Sequence, residues 1–167
     1  MIEALWIAIP ALAASGFLLG RQRALGLARG GEVVLHSLPS HYGQFVLVWA
    51  ALPPLFILLL WLIFGEALVE TWALAQLEAS GALGPGQDAR SILEQVQRGI
   101  VPSDGEWPSR AHAAMAASLE RARTLLAGAV TALFAVGGAG GLALARARIA
   151  PDLRARNRVE QALRLAL

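Results

Sequence analysis

The sequence predicts an all-α membrane protein: three transmembrane helices, a helical periplasmic loop of about 58 residues and a basic cytoplasmic tail helix. Three observations carry this expectation. Hydrophobic residues fill 56% of the 167 positions and charged residues only 16%, far from the usage of a soluble domain. The apolar residues gather in three blocks near membrane-spanning length, more than a soluble core of this size can bury. The basic residues, all arginine, flank those blocks unevenly.

The first run, Ile2–Gly20, is about 20 residues and long enough to cross a hydrocarbon layer of about 30 Å. Glu3 lies at its extreme end, where headgroups and water still solvate it; at the centre a carboxylate would cost about 2.5–3.5 kcal/mol. Pro10 removes one helix hydrogen bond and predicts a kink that neighbouring helices tolerate. Ala11-Leu12-Ala13 resembles a signal-peptide cleavage site, but the n-region carries Glu3 instead of a base and the strong positive charge follows the run. An uncleaved helix is the better reading.

The second run, Phe45–Phe64, is uncharged throughout, with Trp49 and Trp61 near opposite ends as expected of rings at headgroup depth. Pro53-Pro54 predicts a bend in mid-span. The third run, Thr124–Ala145, is rich in Ala and Gly. Gly137 and Gly141 have the GxxxG spacing that lets another helix approach closely. A phosphate-cradling loop would need a preceding strand and a following lysine, and neither is there.

The segment between the second and third runs, Gly65–Arg123, is expected to be helical in pieces. Glu66–Glu78 continues the second span, and Gly81-Ala82-Leu83-Gly84-Pro85-Gly86 breaks it. Asp88 then caps a short helix with Ile92, Leu93, Val96 and Ile100 on one apolar face. After interruptions at Pro102, Gly105 and Pro108, Ser109 is expected to cap an alanine-rich helix running toward the third span. In the tail, Ala150-Pro151-Asp152 is a helix start. Val159, Leu163 and Ala166 share a face, with Arg156, Glu160 and Arg164 spaced for ion pairs. Such a helix suits an anionic membrane surface or plain solvent equally. It ends uncapped on Leu163–Leu167, as an interrupted element would.

Charge gives these spans a direction. Arg21, Arg23 and Arg29 follow the first run, and Arg146, Arg148, Arg154, Arg156, Arg158 and Arg164 follow the third. Glu66, Glu70, Glu78, Asp88, Glu94, Asp104, Glu106 and Glu120 follow the second. Under the positive-inside bias the N-terminus is periplasmic and the C-terminus cytoplasmic in a bacterial inner membrane. The expected organisation is residues 1–64 with two spans and a short basic loop, 65–123 as the periplasmic segment, and 124–167 with the third span and tail.

No catalytic, cofactor or metal site is expected. The chain has no cysteine, which removes disulfides, thiolate ligands and cysteine nucleophiles. His36 and His41 are five residues apart, the wrong spacing for adjacent helix turns, and His112 is expected across the membrane. Ser37, Ser40 and His41 lack an orienting acid, Glu32 being merely near in sequence. Glu66 and Glu70 read as a solvated helix face. Apart from Glu3, the spans hold no Asp, Glu or His that would mark an ion pathway. A net charge of +2 gives no case for nucleic acid.

Two stretches carry a resemblance. Leu35-His36-Ser37-Leu38-Pro39, His41-Tyr42-Gly43 and Trp49-Ala50-Ala51-Leu52-Pro53 form the first; residues 148–160, Arg-Ile-Ala-Pro-Asp-Leu-Arg-Ala-Arg-Asn-Arg-Val-Glu, form the second. Together they resemble the extended N-terminal region of PstC-type permeases of bacterial phosphate ABC transporters. That resemblance implies an N-terminal membrane module of such a permease, present as a fragment or domain, with anchoring, assembly or regulatory work in phosphate uptake. Membrane lipid, other permease spans, a PstA-type permease, a PstB-type ATPase and a PstS-type phosphate-binding protein are the implied partners. The Glu-Ala-Ala pattern of an ABC coupling loop is missing, so no phosphate-pathway or ATPase-contact residue is carried over. Two other readings are a free-standing inner-membrane protein that binds a partner through Gly137–Gly141, and a periplasmic sensor built on residues 65–123.

Overall fold

The computed structural model of the chain describes residues 2–29, 38–100 and 106–149. They form four helices: α1 (Ile2–Arg29), α2 (Pro39–Ala79), α3 (Ala89–Gln97) and α4 (Glu106–Ala147). No strand occurs among the described residues. Three helices are long and apolar enough to cross a membrane, with windows over Ile2–Ala28, Pro39–Ala79 and Arg110–Ala147. An 18-residue stretch within each has a mean hydropathy of 1.8, 2.5 and 1.8 in turn. The fold is thus all-helical with three candidate spans.

The lengths depart from the sequence reading only in part: α1 outruns Gly20 and α4 starts before Ser109, while α2 continues through Glu66–Glu78 and stops before Gly81, as expected. α2 has 41 residues and α4 has 42. At 1.5 Å per residue each is roughly 60 Å long, twice the thickness of a hydrocarbon layer of about 30 Å. α2 passes unbroken through Pro53 and Pro54, then through Gly65, and stops only at Ala79. α1 likewise continues through Pro10 and past Gly20 to Arg29. Ser109 does not cap a helix: it lies inside α4, which starts at Glu106. The reason is local chemistry. Pro108 falls in the first turn, where a missing N–H has no intrahelical acceptor to lose. The run Ala111–Ala127 then contains no breaker.

The chain divides into two compact units, one of Met1–Leu59 with Val130–Leu167 and one of Leu60–Ala129. The second unit has a water-soluble style of core. Val69, Ala73 and Leu77 recur every fourth residue along α2, and Ala111, Met115, Leu119 and Ala122 recur along α4 at spacings of three and four. Ala89, Ile92 and Leu93 of α3 and Ala82 of the preceding turn complete the cluster. Met115 and Leu77 are completely buried.

The short α3 is fixed at both ends. Asp88 is its N-cap, and its carboxylate accepts the Ser91 N–H at 3.1 Å, an interaction worth about 1 kcal/mol. At the other end Gly99 takes φ +69°, the Gly99 N–H donates to the Val96 carbonyl and the Ile100 N–H to the Gln95 carbonyl. This is the reversal that glycine permits just beyond a helix C-cap. It turns Ile100 off the helical face expected of it. Ile92 and Leu93 are buried, while Ile100 is 47% exposed.

Candidate functional site

In the first unit, three helices meet along seams of small residues. On α1, Gly16, Gly20 and Ala24 stand four apart; on α4, Gly137, Gly141 and Ala145 do the same. Each series presents one flat ridge, and α2 lies against both. A Cβ at position 16 would meet the Ala50 Cβ at 3.2 Å, and one at position 20 would meet the Val46 Cγ2 at 2.7 Å and the Tyr42 carbonyl oxygen at 2.8 Å. Numbers rise along α1 as they fall along α2, so the pair is antiparallel. Gly43 completes this contact, since a Cβ there would run into Phe17 at 2.8 Å.

The α4 seam is as close. A Cβ at position 137 would touch Ile57 at 3.3 Å and Pro53 at 3.5 Å, and one at position 141 would run into the Trp49 carbonyl group. Gly138 faces Leu12 of α1, which closes the three-helix arrangement. A glycine in a helix costs about 0.5–1 kcal/mol relative to alanine. In lipid, where burial of apolar surface between helices gains little, close backbone packing offsets that cost. The GxxxG spacing in α4 is therefore used inside the chain, against α2. The matching series in α1 is equally visible in the sequence, where Gly20 stands at the expected end of the first run.

One end of this bundle is closed by Ala24, Tyr42, Phe45, Val46, Ala145 and Ile149, all buried together. Tyr42 is fully enclosed. Trp49 packs on Phe45, with centroids 6.3 Å apart, and carries the Arg148 guanidinium 5.9 Å from its ring centroid. The face of an indole attracts a cation, so Arg148 is held over α2.

The bundle's outer surface is apolar. Ile7 (76%), Leu133 and Val136 (70%) are exposed in this unit, together with Leu52 and Phe56. In the other unit, Leu62 and Ile63 are exposed as well. Exposed large aliphatic side chains on helices of this length suit contact with lipid chains.

The polar residues considered from sequence are dispersed. His41 Nδ1 sits 3.2 Å from Gln44 Oε1 in the first unit. His112 is buried in the second, with Nε2 3.1 Å from Gln95 Oε1. His36, Ser37 and Glu32 lie outside the described residues, as does the tail from Ala150 onward. Glu66 and Glu70 serve separate partners: Arg123 lies 3.5 Å from Glu66, and the Gln97 amide donates to Glu70 at 2.7 Å. Among the described residues no three His, Asp or Glu side chains gather as a metal site would require.

Three helices long and apolar enough to cross a membrane, packed through small-residue seams, are the architecture of a helical membrane protein. A family model described as phosphate ATP-binding cassette transporter matches residues 4–167, and the chain belongs to that family. No curated protein and no solved structure matches it.

Proposed function

We propose that this chain is the N-terminal membrane module of a PstC-type phosphate importer permease, working in anchoring, assembly or regulation and carrying no catalysis of its own. The observation that supports this reading most is the family match. It spans residues 4–167 and so includes both stretches, 35–53 and 148–160, that resemble the permeases' N-terminal region. The rigid small-residue seams suit a scaffold against which further permease spans dock. Gly137 and Gly141 are already filled by Ile57, Pro53 and Trp49, which leaves that face no room for a separate partner helix.

In this reading residues 1–64 and 124–167 hold the membrane spans and 65–123 lie in the periplasm, with the N-terminus periplasmic and the tail cytoplasmic. A PstA-type permease, a PstB-type ATPase and a PstS-type binding protein are the proposed partners. Tagged chain extracted in mild detergent is expected to bring down the permease subunits, and its removal to lower phosphate uptake at unchanged ATPase level. Recovery of the chain free of every permease subunit, with uptake intact, would defeat the proposal.

The topology is tested separately. Because the chain has no native cysteine, single cysteines at positions 25, 90 and 155 report without background. An impermeant thiol reagent added to intact spheroplasts is expected to label position 90 and to spare 25 and 155. Labelling of 25 and 155 on opposite sides would overturn the arrangement.

A further inference from the structure

Between α1 and α4 in the first unit runs a groove of about 510 Å³, lined by Arg23, Ala139, Leu142, Ala143, Arg146 and Ala147. Its size falls in the range of about 300–1,000 Å³ usual for ligand sites. Arg23 and Arg146 border a surface that is otherwise aliphatic, and both arginines are exposed, with no ion pair to any described residue. Arg148, close by in sequence, is by contrast engaged over Trp49.

We propose that this groove holds an anionic phospholipid, with the headgroup phosphate on Arg23 and Arg146 and an acyl chain along Ala139, Leu142 and Ala143. Arginine presents a planar fork that matches phosphate oxygens in pairs. Basic pockets between membrane helices are favourable places for anionic headgroups. The small side chains at 139 and 143, both exposed, leave the width a chain needs. A free phosphate ion would gain from the two arginines alone and nothing from the aliphatic wall, so the lining favours an amphiphile. The inference rests on the membrane-spanning fold and is independent of the role in phosphate import.

The test uses the full chain in nanodiscs of phosphatidylcholine doped with spin-labelled phosphatidylglycerol. Immobilised phosphatidylglycerol is expected in the parent protein. The Arg23→Gln/Arg146→Gln variant should bind it on the order of tenfold more weakly, and Arg23→Lys/Arg146→Lys should keep most of the binding. Ala143→Trp fills the groove while leaving the charge, and is expected to lower binding as well, with helicity by circular dichroism unchanged. Immobilised phosphatidylcholine at an equal level, or equal retention of phosphatidylglycerol in the Gln and Trp variants, would show an unselective lipid shell and overturn the proposal. Displacement of the labelled lipid by millimolar inorganic phosphate would assign the arginines to a free anion and overturn it too.

Discussion

Gly141→Ala is expected to destabilise the helical bundle by about 1–3 kcal/mol, although alanine is the better helix former. The sign follows from what the new methyl group meets. At position 141 it collides with the Trp49 carbonyl group and comes within 3.4 Å of the Ala50 Cα, all backbone. A side chain in the way can turn aside; the backbone of a neighbouring helix cannot. α4 must therefore move off α2, and that displacement also loosens Gly137 from Pro53 and Ala145 from its buried cluster. Gly140→Ala is the internal control. Nothing lies within 4 Å of a Cβ there, so only the propensity gain of about 1 kcal/mol remains. The two variants, one residue apart, should shift the unfolding midpoint in opposite directions when unfolding in sodium dodecyl sulfate is followed by circular dichroism. Equal shifts would refute the seam as the element that holds α4 on α2. Gly20→Ala should follow Gly141, more mildly, because part of its obstruction is the Val46 side chain.

The contrast between these glycines shows what the sequence disclosed and what it withheld. Membrane spans were legible because apolar runs such as Phe45–Phe64 are a composition signal that needs no tertiary context. Helix ends were less so. The change from apolar to charged residues at Gly65 and Arg123 is a change of side chains and not of element. The backbone does not respond to that change, so α2 and α4 run on until a true breaker arrives. The continuation through Glu66–Glu78 is legible; the end of α1 at Gly20 and the cap at Ser109 are the expectations that do not match. Asp88 was readable as a cap since its bond to Ser91 is local. Ile100 leaves the apolar face that its spacing predicts because the chain reverses at Gly99. The Glu66–Arg123 pair joins residues 57 apart in sequence and leaves no local trace. Nor does the groove at Arg23 and Arg146: its two arginines were read as topology markers on separate spans, and only the parallel course of α1 and α4 brings them to one place.

Leu77→Ala is expected to cost about 2–5 kcal/mol, the largest effect of any aliphatic truncation in the second unit. Leu77 is completely buried among Val69, Ala73, Ile92, Leu93, Met115 and Leu119, and its loss leaves a cavity that two long helices and a nine-residue α3 cannot close. Because an isolated helix of this length is unstable, α3 depends on that core for its existence. Amides of residues 92–97 should lose hydrogen-exchange protection first, ahead of those in α4. The comparison that gives the result meaning is Leu133→Ala on the exposed face of α4. If that face contacts lipid, leucine and hydrocarbon are equivalent surroundings, and truncation should change stability little. If residues 65–123 lie in water, as proposed, they draw their cohesion from apolar burial, and the spans draw theirs from close packing of small residues. A cost below about 0.5 kcal/mol at Leu77, or an equal cost at Leu133, would contradict that division of forces.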